Sequence, residues 1–347
     1  PAGFAVTSPA GLPRRSPAKS GGRSRGEAGL RLLRPCPAIL GGMSSERDTP
    51  PDVSDPRVLR DHRRQWRHCL YVYPVISRRA RGLSIGVNLN PDKRCTFSCV
   101  YCQINRRVHR GLTGVDLDIL RDELHLAMEE AVSGRLFHEP RFNTTPQGLR
   151  RLNDIAFSGD GEPTCLENFD EAVRAAAEVQ DGFQRDDVKL VVITNATHLR
   201  SPQMQRALGV LDAHHGEIWA KLDAGTEAFF RRVNRPRDGL TLEHVTADIT
   251  AVARERPVVI QTLLFRQDGA PPPAAEIEAY IARLRGMRDA GGQLRLVQLH
   301  TVARPPAEAS VAALPDADLE AIAEHVRAEL PDVSVETYPG QDVPPQT

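Results

Sequence analysis

From residue 83 onward, short apolar segments alternate with amphipathic segments that have a helical period. The apolar segments are 83–88, 154–158, 189–194, 217–222, 258–264 and 294–300, and the helical segments between them are 116–134, 167–179, 202–213, 241–254 and 275–290. Such alternation is typical of a parallel sheet with helical crossovers. Ser201 and Pro202 mark one helix start, as an N-cap and a first-turn proline. The pattern therefore predicts an α/β fold.

The two ends of the chain are predicted to lie outside this alternation. Residues 316–330 and 333–338 predict a helix and a strand added at one edge, whereas 271–273 and 303–315 are predicted loops because they are rich in proline. Residues 1–42 have one acidic residue and many Arg, Ser, Pro and Gly, so we expect them to be disordered. A transit peptide has such a composition, and so has a translated region upstream of a start at Met43; we favour the second.

These boundaries predict four parts, namely 1–42, a lead-in over 43–82, a core over 83–306 and a C-terminal addition over 307–347. The lead-in contains a basic segment, residues 57–81, with eight Arg and two His. It can be a binding surface for a phosphate-bearing substrate or a solvated approach to the first strand, and we favour the second. The net charge of +0 provides no overall attraction for nucleic acid, and no apolar run reaches the ~20 residues of a membrane span.

Three cysteines follow the first predicted strand of the core, in the sequence CTFSCVYC. Cys95, Cys99 and Cys102 have the spacing C-x3-C-x2-C, and no fourth cysteine lies nearby. A [4Fe-4S] cube usually takes four thiolates, so three leave one iron open to a small molecule. A zinc site with His109 as fourth ligand is the alternative, although its spacing is unusual for zinc. Six cysteines in 347 residues are too sparse for a disulfide framework.

The CTFSCVYC segment resembles the signature of the radical S-adenosylmethionine (SAM) enzymes. The resemblance implies that Cys95, Cys99 and Cys102 hold a [4Fe-4S] cluster whose open iron chelates SAM, and that Tyr101 lies against the adenine. It also implies an incomplete (β/α)6 barrel and cleavage of SAM to methionine and a 5′-deoxyadenosyl radical, which takes a hydrogen atom from a substrate. In parallel barrels the active site lies at the carboxyl ends of the strands, where the cysteines are expected.

The second predicted strand of the core ends in a glycine-containing acidic turn, Ser158-Gly-Asp-Gly-Glu-Pro163. By its residues alone it can be a strand-to-helix turn, or a place where the backbone approaches a ligand and Glu162 accepts from an ammonium group. It resembles the GGEP motif of the same family, with Asp160 in place of the first glycine of the doublet. The resemblance implies that Ser158, Gly159, Asp160, Gly161, Glu162 and Pro163 bind the amino group of SAM.

Polar residues also end the later strands. Asn195 is either a SAM contact or a turn former. Lys221 and Asp223 share one face of their strand and Ala220 and Leu222 the other, so the charged pair should face the barrel interior. We expect Asp223 to approach a ribose hydroxyl and Lys221 a carboxylate, or the two to pair with each other. Gln298 and His300 likewise share an inward face; Gln298 is a candidate SAM contact, and Lys221 and His300 are the candidate catalytic residues.

Residues 86–306 as a whole resemble the branch of iron–sulfur oxidoreductases that includes the wybutosine-synthesis radical enzyme. That branch can carry a second cluster on three further cysteines, but Cys36, Cys69 and Cys165 are scattered here, which favours a single-cluster member. We therefore predict a cytoplasmic enzyme that uses an external flavodoxin- or ferredoxin-like electron donor, on a small molecule or, alternatively, on a transfer RNA base. A zinc-bound interaction protein is the alternative of another class.

Overall fold

The computed structural model describes residues 65–104, 114–304, 306 and 308–340, and ten strands lie within them. They are β1 (Val72–Ser77), β2 (Gly82–Val87), β3 (Leu152–Phe157), β4 (Lys189–Thr194), β5 (Glu217–Lys221), β6 (Val258–Leu263), β7 (Phe265–Gln267), β8 (Leu294–His300), β9 (Val311–Ala313) and β10 (Ser334–Tyr338). Eight form one sheet in the order β1-β2-β3-β4-β5-β6-β8-β10, and β7 pairs with β9. The sheet curls into a half-barrel, which confirms the predicted fold class.

Helices connect the parallel strands. They are α1 (Leu117–Val132), α2 (Phe169–Gly182), α3 (Pro202–Ala213), α4 (Glu227–Val233), α5 (Leu242–Glu255), α6 (Ala274–Asp289) and α7 (Asp316–Glu329), and short 3-10 helices cover Arg135–His138, Gln147–Leu149 and Pro163–Cys165. The side chain of Ser201 caps α3 by accepting from the backbone N–H of Met204 at 3.3 Å. Within the described ranges, no helix has the length and apolar character needed to cross a membrane.

Alternating side chains of the strands form two apolar layers. In β5, Ala220 lies in the large core between sheet and helices, whereas Trp219 lies in a small inner cluster with Val191 and Val259. Leu222, directly after β5, belongs to the large core as well. The predicted division of this segment between the barrel interior and the helices is therefore correct.

The predicted elements occur with small shifts at their ends, but three strands were missed. Residues 72–77 were taken as part of a lead-in, yet they form β1, antiparallel to β2 at the edge of the sheet. Pro74 argues against a central strand, but an edge strand tolerates it because one side of the strand needs no donor. The loop predicted over 303–315 was wrong in part, since Val311–Ala313 pairs with Phe265–Gln267. The C-terminal strand β10 extends the sheet beside β8, as predicted for an edge addition.

The turn between β1 and β2 connects the two edges of the sheet. Arg78 Nη1 donates to the carbonyl of Pro339, directly after β10. Arg81 forms an ion pair with Glu336 of β10 at 2.9 Å. Since β1 and β10 are the edge strands, this arginine-rich turn bridges the open side of the half-barrel. The predicted tail, residues 1–42, lies outside the described residues, and the four predicted parts of the chain stay predictions.

Candidate functional site

A cavity of about 290 Å³ opens at the carboxyl ends of the parallel strands, and we call it the upper cavity. The three cysteines of the motif line it, and so do the turn after β3, residues at the ends of β4, β5 and β8, and part of the β1–β2 turn. Of the predicted site residues, it brings together Cys95, Cys99, Tyr101, Cys102, Gly159, Asp160, Gly161, Glu162, Asn195, Lys221 and His300. The motif and the topology therefore converge on one place, as the sequence predicted.

The segment that carries the cysteines is fixed by α4 and by the residue that follows it. The backbone N–H of Ser98 donates to the carbonyl of Asn234 at 3.0 Å, and that of Val100 donates to Val233 at 2.9 Å. The ring of Phe97 packs edge-on against Phe230 with centroids 5.3 Å apart. These contacts hold a loop without regular structure in a defined conformation, with its thiols toward the cavity.

The donor set fits a cubic cluster. Cys95, Cys99 and Cys102 form no disulfide and lie, partly exposed, on the wall of one cavity. In the described part of the chain, no three His, Cys, Asp or Glu side chains converge as ligands of a single ion. A cube does not require such convergence, because each thiolate binds a different iron. His109, the proposed ligand of the alternative zinc site, lies outside the described residues.

The environment of Cys99 opposes a free thiolate. Burial and then the charge of Asp223 raise the pKa of the Cys99 thiol to about 12. A coordinated thiol loses its proton to the metal, which supplies the opposing charge that the protein does not. The thiol is therefore suited to metal ligation rather than to nucleophilic chemistry at neutral pH.

The acidic turn after β3 packs directly onto the cysteine-bearing loop. Asp160 accepts from Asn88 Nδ2 at 3.0 Å, and its backbone N–H donates to Asn88 Oδ1 at 3.0 Å. A Cβ on Gly159 would lie 2.2 Å from Asn88 Oδ1, and one on Gly161 would lie 2.0 Å from the carbonyl oxygen of Arg94. The glycines therefore permit close contact between two protein segments, in addition to the tight turn and the approach of a ligand that the sequence analysis left open.

Other residues of this turn have structural partners as well. Tyr73 Oη donates to the carbonyl of Ser158 at 3.0 Å, and Pro163 begins a 3-10 helix that Glu162 caps. Ser158 and Pro163 do not line the cavity. They position the turn from outside the site.

Glu162 is a buried carboxylate with several donors around it. Its Oε1 accepts from the hydroxyls of Thr164 and Thr194, each at 2.6 Å, and its Oε2 accepts from the backbone N–H of Asn195 at 2.7 Å. Burial raises the pKa of Glu162, and these hydrogen bonds oppose the increase. The carboxylate thus joins β3 to the end of β4, and Oε2 keeps acceptor capacity toward the cavity.

Asn195 has the turn-forming hydrogen bond that one of its two predicted roles requires, and its side chain also lines the upper cavity. Its Oδ1 accepts from the backbone N–H of Thr197 at 3.2 Å, which is the geometry of a turn-forming asparagine. Its Nδ2 donates to Thr96 Oγ1 at 2.8 Å and approaches Cys95 Sγ at 3.8 Å. Asn195 therefore holds the cysteine-bearing loop while its side chain lines the cavity.

Tyr101 is linked to a carboxylate behind the cavity wall. Its hydroxyl donates to Asp223 Oδ2, and Asp223 Oδ1 accepts from the backbone N–H of Leu263 at 2.9 Å. Burial and the Asp223 charge raise the pKa of Tyr101 well above its usual range. Asp223 is buried and does not line the cavity, so the structure does not bring it to a position for the predicted ribose contact.

Asn234 is a site residue that the sequence analysis missed. It is buried, and its Nδ2 lies 2.9 Å from Asp223 Oδ2, 3.3 Å from Tyr101 Oη and 3.5 Å from Cys99 Sγ. One amide group thus connects a thiol of the motif to the hydroxyl and the carboxylate. Asn234 lies beyond the end of a short helix and far from the cysteines in sequence, so no spacing could reveal it.

Lys221 and His300, the last residues of β5 and β8, line the same cavity. Lys221 Nζ lies 3.5 Å from Asp223 Oδ1, as one of the alternatives predicted, and 5.2 Å from the centre of the Tyr101 ring. His300 is 8% exposed, and its Nδ1 has no hydrogen-bond partner among the described residues. Burial and the nearby charge of Arg79 lower the pKa of His300 well below its usual range, so the ring is neutral.

Gln298 faces a different space. It accepts from Gln261 Nε2 at 3.1 Å and lines a second cavity of about 490 Å³ at the amino ends of the strands, which we call the lower cavity. The prediction that Gln298 shares an inward face with His300 is correct. The upper cavity does not include it, because two residues along a strand move a side chain by about 6.6 Å.

The comparisons with known proteins agree with this geometry. No family model matches the chain. It is 26% identical over 178 residues to the UPF0026 protein MJ1312 of Methanocaldococcus jannaschii, and 28% identical over 190 residues to the UPF0026 protein slr1464 of Synechocystis sp.. The alignments cover 51% and 53% of this chain and 48% and 60% of those proteins, so the chain spans about half the length of the curated relatives it matches.

Two solved structures share the fold. A radical SAM methyltransferase from Sphaerobacter thermophilus has a TM-score of 0.53 and 14% identity, over 77% of this chain and 68% of that one. SuiB of Streptococcus suis, bound to S-adenosylmethionine, has a TM-score of 0.50 and 13% identity, over 75% and 52%. The half-barrel is therefore the fold of the radical SAM proteins. This fold is the one that the resemblance of the cysteine motif implied.

Proposed function

We propose that this chain is a radical SAM enzyme that holds a [4Fe-4S] cluster on Cys95, Cys99 and Cys102. The observation that carries the proposal is that three cysteines, spaced C-x3-C-x2-C and not in disulfides, line one cavity with the acidic turn at the carboxyl ends of a half-barrel. When bound, the cluster and SAM supply a 5′-deoxyadenosyl radical and methionine, a chemistry that side chains cannot provide.

The residues around the cavity support binding and orientation. Glu162 Oε2 accepts one hydrogen bond from the backbone and has capacity for the ammonium group of SAM. Tyr101 offers an aromatic face held in place by Asp223 and Asn234, which suits an adenine ring. Lys221 is a candidate for the carboxylate of SAM. These groups are already fixed by hydrogen bonds, so little entropy is lost when the ligand is ordered.

The rest of the reaction is also part of the proposal. We expect an external one-electron donor of the flavodoxin or ferredoxin type, a cytoplasmic location, and hydrogen abstraction from a second substrate at the cavity. Transfer RNA is the alternative substrate class, and its binding should weaken steeply with salt. Lys221 and His300 are the candidates for proton handling, because both carry nitrogen atoms on the cavity wall.

Formation of 5′-deoxyadenosine tests the proposal. The full chain is reconstituted anaerobically with iron and sulfide, reduced and given SAM. Cys99→Ala should lose cluster iron and product, whereas Cys69→Ala, which changes a buried thiol of the core, should retain both. Product from Cys99→Ala would refute the ligand assignment. Tightly bound zinc without iron or product would favour the interaction protein instead.

A further inference from the structure

Arg79, in the turn between β1 and β2, reaches the inside of the half-barrel. It lines both the upper and the lower cavity. Its guanidinium lies 5.9 Å from the centre of the Trp219 ring, two residues below the end of β5. An arginine from outside the six β/α units therefore contributes to the interior where the strand ends meet.

Arg79 differs from the other arginines of the basic segment that the structure describes. Arg67 pairs with Glu130 and Glu139, Arg81 pairs with Glu336, and Arg78 donates to a backbone carbonyl. Arg79 makes no hydrogen bond and no ion pair with any described residue. The solvated approach that the sequence analysis favoured does not account for a guanidinium in this position.

Arg79 forms no ion pair with a described carboxylate, and Asp154, which lines the lower cavity with it, acts on it only through charge at longer range. Burial and the neighbouring Arg78 lower its pKa to about 10, so it is still charged at neutral pH. The acidic residues of the upper cavity serve other partners, since Asp160 bonds to Asn88 and Glu162 to Thr164, Thr194 and Asn195. A half-buried cation that lacks an ion pair is suited to an added anion, which would offset the cost of its desolvation.

A second unpartnered group lines the same cavity. His300 is buried, and its Nδ1 has no partner among the described residues. The charge of Arg79 is a main influence on the His300 ring, which indicates that the two groups are close. In the tautomer that carries the proton on Nδ1, the neutral imidazole can donate one hydrogen bond, and the guanidinium fork can donate others, to the oxygens of one anion.

We propose that Arg79 and His300 bind a carboxylate or phosphate group of the second substrate inside the half-barrel. This inference rests on the proposed function, because it assumes that SAM and a second substrate share the upper cavity. It narrows the substrate to an anionic molecule whose charged end is small enough to enter the interior. The carboxylate of SAM has the same chemistry, so the experiment must separate the two sources.

Phenylglyoxal modification of single arginines, quantified by mass spectrometry, tests the site without knowledge of the substrate. The cluster-reconstituted full chain is treated alone, with inorganic phosphate, with oxalate, or with SAM. We expect phosphate or oxalate at about 10 mM to slow modification of Arg79 about fivefold, because an occupied guanidinium is shielded. Arg81, which is already paired with Glu336, is the internal control and should change less than about twofold.

His300→Gln keeps a polar side chain but changes the donor geometry, and it should reduce the protection of Arg79 by phosphate about threefold. Protection by SAM alone, with none from phosphate or oxalate, would assign the arginine to the carboxylate of SAM and overturn the inference. Absence of protection by all three would also overturn it. The readout requires no SAM cleavage, so a failed 5′-deoxyadenosine assay would reject the proposed function while the anion result stands separately.

Discussion

The upper and lower cavities lie at opposite ends of the same strands. Their polar and charged side chains differ in how completely they are paired with other protein groups. In the lower cavity, Glu217 accepts from Lys189 at 2.5 Å, from Trp219 Nε1 at 2.9 Å, and pairs with Arg295 at 3.0 Å. In the upper cavity, His300 Nδ1 has no hydrogen-bond partner among the described residues, and Arg79, which also reaches the lower cavity, has no ion pair there. Charges that stabilise a fold satisfy one another, whereas charges for a ligand are left partly unsatisfied.

The carboxylates of the two cavities also differ in the segments that they connect. Those of the upper cavity join loops to one another, as Glu162 does between β3 and the end of β4. Those of the lower cavity sit at strand starts, where Asp154 accepts from Ser84 of the neighbouring strand. The upper network therefore fixes the conformation of irregular segments, and the lower network supports a sheet that backbone hydrogen bonds already define.

The largest expected difference between the two cavities is in the effect of a glycine-to-alanine substitution on activity. In Gly161→Ala the new Cβ would meet the carbonyl oxygen of Arg94, so the acidic turn must move away from the cysteine-bearing loop. We expect 5′-deoxyadenosine formation to fall about 100-fold, since a displacement near 1 Å can have that effect. Gly148→Ala, in the wall of the lower cavity, is the matched control, because its Cβ would meet nothing within 4 Å. Equal loss in both variants would contradict the contrast.

Replacement of an asparagine amide should have the next largest effect. Asn234→Leu removes the donor to Cys99 Sγ, and hydrogen bonds to cluster sulfurs influence the reduction potential. Because such a donor stabilises the more negative reduced state, we expect the potential to fall and SAM cleavage to slow about tenfold. An EPR-monitored redox titration measures the potential.

The matched control for this change is Asn153→Leu. Asn153 lines the lower cavity, and its Nδ2 donates to the carbonyl of Ala80 at 2.5 Å. This variant should leave the potential unchanged. If Asn234→Leu slowed cleavage at an unchanged potential, Asn234 would act through packing alone.

The smallest effect concerns the pH dependence of stability in the lower cavity. Burial raises the pKa of Asp154 to about 6, so the folded protein binds this proton more tightly than the unfolded chain. Its contribution to the free energy of unfolding is therefore present at low pH and is lost as the pH rises through about 6. Between pH 5 and 7 we expect a loss of about 1 kcal/mol that Asp154→Asn does not show. The free energy of unfolding is measured in urea at each pH. If the wild type and Asp154→Asn showed the same pH dependence, the effect would not come from Asp154.

The predictions from the sequence were most accurate for elements whose local pattern is sufficient to define them. The segments 189–194, 202–213 and 294–300 match their elements because apolar runs, an N-cap and a first-turn proline define them locally. The spacing of the three cysteines was equally clear, and the structure places all three on the wall of one cavity. Strand β1 was missed because Pro74 argues locally against a strand, and only the position at the sheet edge makes it acceptable.

The partners of the site residues could not be predicted. Asp223 was expected to face a ligand because a charge inside a barrel needs a use. The structure instead satisfies it with Tyr101, Asn234 and the backbone of Leu263. Those three groups come from separate segments, and no pattern in one segment specifies a contact with another. Arg79 was visible only as one of eight arginines, and its unpaired state depends on the positions of all its neighbours.

The contact between the β1–β2 turn and the end of β10 has a consequence for the order of assembly. Arg78 and Pro339 are 261 positions apart in the chain, so a protein synthesised from its N-terminus makes the turn long before its partner. Contacts of such long range form late, because the loop they close carries the largest entropy cost. The cysteine-bearing loop can therefore be complete while this side of the molecule is still open. We expect that a cluster can be inserted after the cysteine-bearing loop is complete and before the contact between Arg78 and Pro339 forms.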